Sequence, residues 1–224
     1  MKVRLTFLAS ILLLLGSAHA VRCQYLHPKI VKKEIVLRNL VILPAKVDIV
    51  RQSMRGPEGM AAESDMLSTL IPRMLVDVLT AKHLTAMLSA PAQDDPERKY
   101  ARADIDARYD ALLPKITKKP KDVTKGRFSM GDEIMNLNAD KTVDAIVFVR
   151  GHGQKLSKGK STFSLLTLSP QFPYLALSIS IVDANTGEVL VFANPSAVTD
   201  ATSGNQAPLR SAIEKSLKKL PLAN

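Results

Sequence analysis

Few residues of this chain have the types and spacing that catalysis or metal binding requires. Beyond residue 20 it holds three histidines, His27, His83 and His152, which lie far apart, and a single cysteine, Cys23. There is no His-Glu-x-x-His string and no pair of cysteines at metal-ligand spacing, so the sequence does not support a zinc site. A Gly-x-Ser-x-Gly nucleophile elbow is also absent.

Two Ser-x-x-Lys strings, Ser157–Lys160 and Ser216–Lys219, contain the residue types of a serine nucleophile and its lysine base. That pairing works when the serine opens a helix and the lysine lies one turn further on. The first string lies in a glycine-containing loop and the second near the chain end, and the partner motifs Ser-Asp-Asn and Lys-Thr-Gly are missing. Chance therefore explains both strings better than catalysis does.

Two turn-like segments also have a plainer explanation than ligand binding. Residues 151–153 (Gly-His-Gly) lack the third glycine and the following helix of a phosphate-binding turn, so we expect a strand bend or bulge with His152 on the surface. Asp183, Asn185 and Glu188 carry oxygen atoms that suit calcium, but the pattern is more typical of a hairpin turn held by Asp and Asn side chains. We predict no catalytic residue, metal site or cofactor.

Basic residues outnumber acidic ones. The chain has 31 Lys and Arg against 21 Asp and Glu, which gives a formal net charge of +10. The densest run, residues 115–127, is most simply a solvated basic loop. As a surface for an acidic or anionic partner we nominate Lys115, Lys118, Lys119, Lys121, Lys125, Arg127, Lys155, Lys158, Lys160, Lys215, Lys218 and Lys219. Nucleic acid is not expected, since single-strand binding uses aromatic platforms among the basic residues, and only Phe128 adjoins this run.

Residues 1–20 have the pattern of a signal peptide. Lys2 and Arg4 form a positive n-region, residues 7–15 are apolar, and residues 18–20 (Ala-His-Ala) match the small-x-small cleavage pattern. The apolar run is shorter than the roughly 20 residues of a membrane-spanning helix. We predict an exported protein, periplasmic or associated with the outer membrane of a bacterium, cleaved after Ala20.

Cys23 lies close behind the predicted cleavage site and is a candidate for lipidation or for an intermolecular disulfide. Arg22 occupies the place where a bacterial lipoprotein carries a small residue, which disfavours lipidation. With no second cysteine, an internal disulfide is impossible.

The apolar periodicity predicts an α/β (α+β) domain with a mixed sheet of about five strands and amphipathic helices packed against it. Strands are predicted at residues 35–43, 85–90, 144–153, 174–182 and 189–192, and helices at 58–84, 97–113, 130–137 and 209–220. Breaker residues predict loops at 51–59 and 199–208. We assign 21–34 to an N-terminal extension and 35–224 to one domain, with a basic, less regular segment at 115–130.

Two helices carry further predictions. Ser64 or Asp65 is expected to cap the main part of helix 58–84, and Pro114 is expected to end helix 97–113. Along that second helix, Arg98, Arg102, Asp106 and Asp110 are spaced four apart. This row predicts an exposed stripe of salt bridges rather than a catalytic carboxylate pair.

Three segments resemble envelope proteins of the TolB N-terminal-like group, which includes the curli secretion channel lipoprotein. They are Leu-Val-Ile-Leu-Pro (40–44), Val-Asp-Ala-Ile-Val-Phe-Val-Arg-Gly (143–151) and Ser-Ile-Val-Asp-Ala-Asn-Thr-Gly-Glu-Val-Leu (180–190). The resemblance implies a small α/β domain and a periplasmic accessory or assembly role. Residues 91–142 fit it worst, and the chain lacks a pore-forming amphipathic hairpin, so a channel is not expected.

We therefore predict an exported, non-catalytic envelope protein that works as a binding or assembly module, with an envelope protein or a second copy as partner. One alternative is an envelope hydrolase whose residues come from distant segments. Another is a peripheral protein that binds anionic membrane through its basic C-terminal helix.

Overall fold

A computed structural model describes residues 24–89, 96–137, 142–157, 159, 161, 172–198, 200 and 205–221. Its strands are β1 (Gln24–Leu26), β2 (Asn39–Ile42), β3 (Lys46–Ser53), β4 (Gly56–Gly59), β5 (Thr85–Leu88), β6 (Ala145–Leu156), β7 (Tyr174–Asp183), β8 (Val189–Ala193) and β9 (Ser196–Ala197). Its helices are α1 (Pro28–Val31), α2 (Ala61–Thr80), α3 (Pro96–Lys118) and α4 (Ala207–Ser216), with 3-10 helices at Pro120–Lys125 and Asp132–Leu137.

The described strands form one mixed sheet of nine strands, in the order β1-β8-β7-β6-β2-β5. The long strand β6 pairs antiparallel with β7, while on its other side the first part pairs parallel with β2 and the second part with β3. β4 pairs with β3, and β9 pairs with β7. The predicted fold class, a mixed sheet with helices packed against it, is confirmed.

The strand count exceeds the predicted five, partly because residues 51–59 are not a loop. They complete β3 and form β4, in a hairpin whose turn uses the positive φ of Gly56. Val47 and Ile49 alternate inward along β3 and are buried. Pro57 and Gly59 are tolerated because β4 pairs only with β3 and is therefore an edge strand.

Alternation along β6 divides its side chains between two apolar cores. Ala145, Val147 and Val149 face the core that α2 and α4 cover. Ile146 and Phe148 face the second core, which α3 and the first 3-10 helix cover. A sheet with helices on both faces explains why the central strands are almost wholly apolar.

Helix α2 begins earlier than the predicted caps. Met60 precedes its first turn, and neither Ser64 nor Asp65 caps the helix, so that prediction is wrong. The Ser64 hydroxyl instead donates to the Met60 carbonyl at 2.8 Å and accepts from the Ile49 amide at 2.9 Å. This serine therefore ties the first turn of α2 to β3.

Helix α3 does not end at Pro114, which lies inside it, and the helix continues to Lys118. Ile116 is fully buried in the second core, and Val123 of the following 3-10 helix is buried beside it. Packing of these two side chains holds the chain in helical turns beyond the proline. The basic segment is thus the last turn of α3 followed by a 3-10 helix.

Residues 151–153 show regular pairing with β3 and β7, so the predicted bend or bulge is wrong there. The glycines are needed for close packing: a Cβ on Gly151 would lie 2.7 Å from Leu177 Cδ2, and one on Gly153 would lie 2.7 Å from the Tyr174 carbonyl oxygen. His152 is exposed, as predicted.

Candidate functional site

The densest group of ionisable side chains in the described structure lies between α3 and the sheet. Arg150 Nη2 donates to Asp106 Oδ1 at 2.7 Å, and Arg150 Nε donates to Asp110 Oδ1 at 2.6 Å. Lys46 Nζ lies 3.0 Å from Asp110 Oδ2 and 3.8 Å from Asp106 Oδ2. Two cations and two carboxylates therefore neutralise one another.

Tyr109 closes this group on the core side. Its hydroxyl donates to Ser180 Oγ at 2.8 Å, its ring stacks on Phe148 at 4.4 Å, and the Arg150 guanidinium lies 5.0 Å from its ring centroid. Burial raises the pKa of Tyr109 to about 12, despite the hydrogen bond to Ser180. The phenol is thus a structural group that stays protonated near neutral pH.

Asp110 stays ionised. Burial alone would raise its pKa, but hydrogen bonds from Arg150 and Lys46 outweigh that effect, so the pKa lies below its usual value. A general acid needs the opposite shift. This cluster fastens α3 to the sheet and is not a candidate for acid–base catalysis.

The prediction of an exposed stripe of salt bridges along α3 is therefore wrong in part. Asp106 and Asp110 pair across to Arg150 and Lys46 on the sheet, and Arg150 is only 9% exposed. The sequence pattern is local to one helix, whereas Arg150 lies 40 residues from Asp110 and 44 residues from Asp106 along the chain.

The three histidines stay apart in the fold. His27 is buried and caps α1, where its Nδ1 accepts from the Lys29 amide at 3.2 Å. His83 and His152 are exposed, and His152 packs edge-on against Tyr174. Among the residues that the structure describes, no group of three His, Cys, Asp or Glu could hold a metal ion.

The turn after β7 is the hairpin turn that the sequence predicts. Asp183 Oδ1 accepts from the amides of Asn185 at 2.8 Å and Thr186 at 2.9 Å. Glu188 points to a different partner, an ion pair with Lys29 at 2.5 Å. Gly187 supplies a positive φ of 70° at the end of the turn.

The Ser216–Lys219 string does not assemble a catalytic pair. Ser216 is buried and its hydroxyl donates to the Ile213 carbonyl at 2.8 Å, while the Lys219 side chain is exposed. Lys160 of the other string lies outside the described residues.

A shallow groove of about 490 Å³ runs along the exposed side of α2 towards Gln206. Met66, Leu70 and Arg73 line part of it. Among the described residues that line it, Asp65 and Arg73 are ionisable, and neither the Arg150 cluster nor the buried His27 borders it.

Three basic segments meet around β1, the strand at one edge of the sheet. The amide of Lys219 donates to the side-chain oxygen of Gln24 at 2.8 Å, which places the end of the C-terminal helical segment beside β1. On the other side, the His27 ring packs so closely on Gly126 that a Cβ there would lie 2.6 Å from its Nε2. Lys32 and Lys33 follow α1 directly.

We call the exposed cations of these segments the basic surface. It comprises Lys32, Lys33, Lys115, Lys118, Lys119, Lys121, Lys125, Arg127, Lys215, Lys218 and Lys219. Lys125 and Arg127 share one carboxylate, Asp122, at 3.3 and 3.6 Å. Lys115, Lys118, Lys119 and Lys121 have no side-chain hydrogen bond or ion pair within the described part of the chain.

The three segments around β1 account for the net charge of the whole chain. Residues 28–34, 115–127 and 215–219 together hold twelve basic and two acidic residues. The remainder of the sequence holds 19 basic residues (31 less twelve) and 19 acidic residues (21 less two). The excess positive charge of the sequence therefore lies in these three segments, which flank β1 on the two faces of the sheet.

Other nominated residues fall outside this surface. Lys155 lies at the far end of β6 and is 3.4 Å from Asp200. Through β8 and β7, β1 lies level with Val147–Val149 of β6, so Lys155 is at least six residues, or about 20 Å, further along the strand. Lys158, Lys160 and Cys23 lie outside the described residues.

Sequence reasoning found nine members of the basic surface but missed Lys32 and Lys33. The run Lys-Lys at 32–33 is visible in the sequence. Its segment is adjacent to residues 115–127 only because β1 pairs with β8 and brings His27 against Gly126. That long-range pairing has no local signal.

No protein-family model matches the sequence, and a search of curated proteins finds no match. Among solved structures, the chain is similar to the PelC dodecamer from Paraburkholderia phytofirmans, with 13% identity, a TM-score of 0.44, and 90% of this chain and 96% of that chain covered. It is also similar to lipoprotein GNA1162 from Neisseria meningitidis, with 9% identity, a TM-score of 0.38, and coverage of 80% and 93%.

The C-terminal domain of LpoB from Salmonella enterica is a third similar structure, with 7% identity, a TM-score of 0.31, and coverage of 76% and 93%. All three TM-scores are below 0.5, so the likeness is distant and no residue role is transferred. It does not single out the TolB N-terminal-like group. Within the described residues, no helix has the length and apolar character to cross a membrane.

Proposed function

We propose that this protein is an exported, non-catalytic binding module of the bacterial cell envelope, and that the basic surface is where it binds an acidic or anionic partner. Export and cleavage after Ala20 are part of this proposal, and they rest on the pattern of residues 1–20.

One observation carries the proposal. The basic surface gathers the net positive charge of the chain around β1, and lysines 115, 118, 119 and 121 are exposed with no side-chain partner within the described structure. Like charges held close together repel and gain little for folding. These lysines gain favourable electrostatic energy when an anionic partner approaches.

The ionisable groups elsewhere support binding rather than chemistry. The cluster around Arg150 is neutralised internally, and Tyr109 has its pKa raised to about 12 by burial. His27 serves as a helix cap with a lowered pKa, because burial disfavours its charged form. These side chains hold the fold together, whereas the lysines of the basic surface face solvent.

Retention on isolated cell envelopes tests the proposal. The test variant carries Lys118→Gln, Lys119→Gln and Lys121→Gln, and a matched control carries Arg55→Gln, Arg73→Gln and Lys99→Gln. The control residues are exposed, carry the same total charge and lie on the β3–β4 turn, on α2 and near the start of α3. Lys99, for example, is about 28 Å along α3 from Lys118.

We expect the wild-type chain and the control to sediment with envelopes at low salt, and the test variant to stay in solution. Raised salt should release the wild type, since exposed charges are screened. Equal retention of both variants would show that the basic surface is not the binding region.

A further inference from the structure

We infer that the occupant of the basic surface is an anionic phospholipid membrane, approached by the β1 edge of the sheet. This inference rests on the proposed function and names its partner. β1 is the outermost strand, with the end of the C-terminal helical segment on one side and the first 3-10 helix on the other. Cations thus flank this edge on both sides of the sheet.

The composition of the basic surface favours lipid over protein. Ten of its eleven cations are lysines, and Arg127 is the exception. Protein interfaces are enriched in Tyr, Trp and Arg and depleted in Lys. Clustered lysines, by contrast, are typical of surfaces that bind anionic headgroups, where each contributes about fivefold in affinity.

Apolar residues near these lysines fit the boundary between headgroups and acyl chains. Val31 is 65% exposed at the end of α1, directly before Lys32, and Val36 is 51% exposed a few residues on. The aliphatic residues of the 115–127 segment, Ile116 and Val123, are instead buried in the core. Exposed valines among lysines are the arrangement of an interfacial segment.

Flotation with synthetic vesicles tests the inference. The mature wild-type chain, the variant with Lys118→Gln, Lys119→Gln and Lys121→Gln, and the control with Arg55→Gln, Arg73→Gln and Lys99→Gln are each mixed with two preparations. One is pure phosphatidylcholine, and the other contains phosphatidylglycerol in addition. Thermal unfolding of each chain verifies that it is folded.

We expect the wild type and the control to float with the phosphatidylglycerol vesicles only, and the test variant to partition roughly a hundredfold more weakly or worse. Raising ionic strength from about 0.1 M to about 1 M, which shortens the Debye length from about 10 Å to about 3 Å, should release the wild type. Equal binding to both vesicle types, or equal weakening in the two variants, would overturn the inference.

Failure here is distinguishable from failure of the proposed function. If the wild type ignores vesicles but sediments with envelopes in a manner that needs lysines 118, 119 and 121, the partner is an acidic envelope macromolecule. The binding module then stands and the lipid assignment falls. If neither vesicles nor cell envelopes retain the chain, the proposed function and the lipid assignment are both wrong.

Discussion

Helix α3 carries two sets of charges, of which one is paired with opposite charges on the sheet and the other is not. In its middle, Asp106 and Asp110 face Arg150 and Lys46 and are neutralised by them. At its C-terminal end, Lys115 and its neighbouring lysines face solvent with no acidic counterpart from the sheet. We therefore expect the paired charges of this helix to serve stability, and we propose that the charges left in excess bind a partner.

Removing Arg150, the centre of the paired cluster, should have the largest effect on stability. Arg150→Met should lower the free energy of unfolding by about 3 kcal/mol, because Asp106 and Asp110 lose their buried partner. Urea denaturation followed by circular dichroism measures the change. The matched control, Arg55→Met on an exposed turn, should shift it by less than about 0.5 kcal/mol. A loss for Arg150→Met as small as that of the control would contradict a stabilising role for the cluster.

A second variant disturbs the contact that joins α1 to the basic segment. Gly126→Ala should cost about 2 kcal/mol, because the residue has φ +65° and the new Cβ would meet the His27 ring. Gly59→Ala is the control, since no atom lies within 4 Å of its Cβ position. Equal melting temperatures for the two variants would argue against the close approach of His27.

The hydroxyl of Tyr109 should have a smaller effect. Tyr109→Phe keeps the ring on Phe148 but leaves the buried Ser180 hydroxyl without its partner, which costs about 1 kcal/mol. Tyr100, which is 76% exposed, offers the control Tyr100→Phe with no expected change. Chemical denaturation measures the free energy of unfolding of both variants. An unchanged value for Tyr109→Phe would show that this hydrogen bond does not stabilise the fold.

Acid should weaken the fold through His27, whose pKa is lowered mainly by burial. Below pH 6.5 the unfolded histidine takes up a proton that the folded one resists, so stability is full above that pH and falls as pH decreases. Lys29 lies beside this ring as a further positive charge, and Glu188, Glu34 and Asp183 oppose its effect. His27→Asn keeps a capping side chain and should flatten the melting temperature between pH 6.5 and 5. An unchanged pH profile in that variant would assign the acid sensitivity elsewhere.

The smallest effect on stability belongs to the unpaired lysines. Replacing Lys118, Lys119 and Lys121 by Gln should change the free energy of unfolding by no more than about 0.5 kcal/mol, because their side chains make no contact that the fold needs. Thermal unfolding beside the wild type measures this. A loss comparable with that of Arg150→Met would erase the difference between the two regions of α3.

Most of the fold could be predicted because its signals are local. Helix α2 and strands β6, β7 and β8 have apolar patterns that match their elements, and the Asp183 turn has a recognisable sequence. The hairpin at residues 46–59 was missed because its glycines and proline are read as loop, whereas an edge strand tolerates them. Pro114 misled the prediction because the burial of Ile116 outweighs the proline.

The candidate site could likewise be predicted only in part from the sequence. Runs of lysine are visible in the sequence, so most of the basic surface could be nominated from it. Its extent depended on β1 pairing with β8, which brings Lys32 and Lys33 towards residues 115–127. The partners of Asp106 and Asp110 depended on the distance across the fold between α3 and β6, which helical spacing does not encode.

The most direct test of the basic surface uses a photo-reactive amino acid at position 119 in growing cells, with a second chain carrying it at position 55. Both positions are exposed and lie in different regions of the fold. We expect a cross-linked product, with lipid or with an envelope macromolecule, from position 119 and none from position 55. Cross-linking from position 55 alone would contradict it.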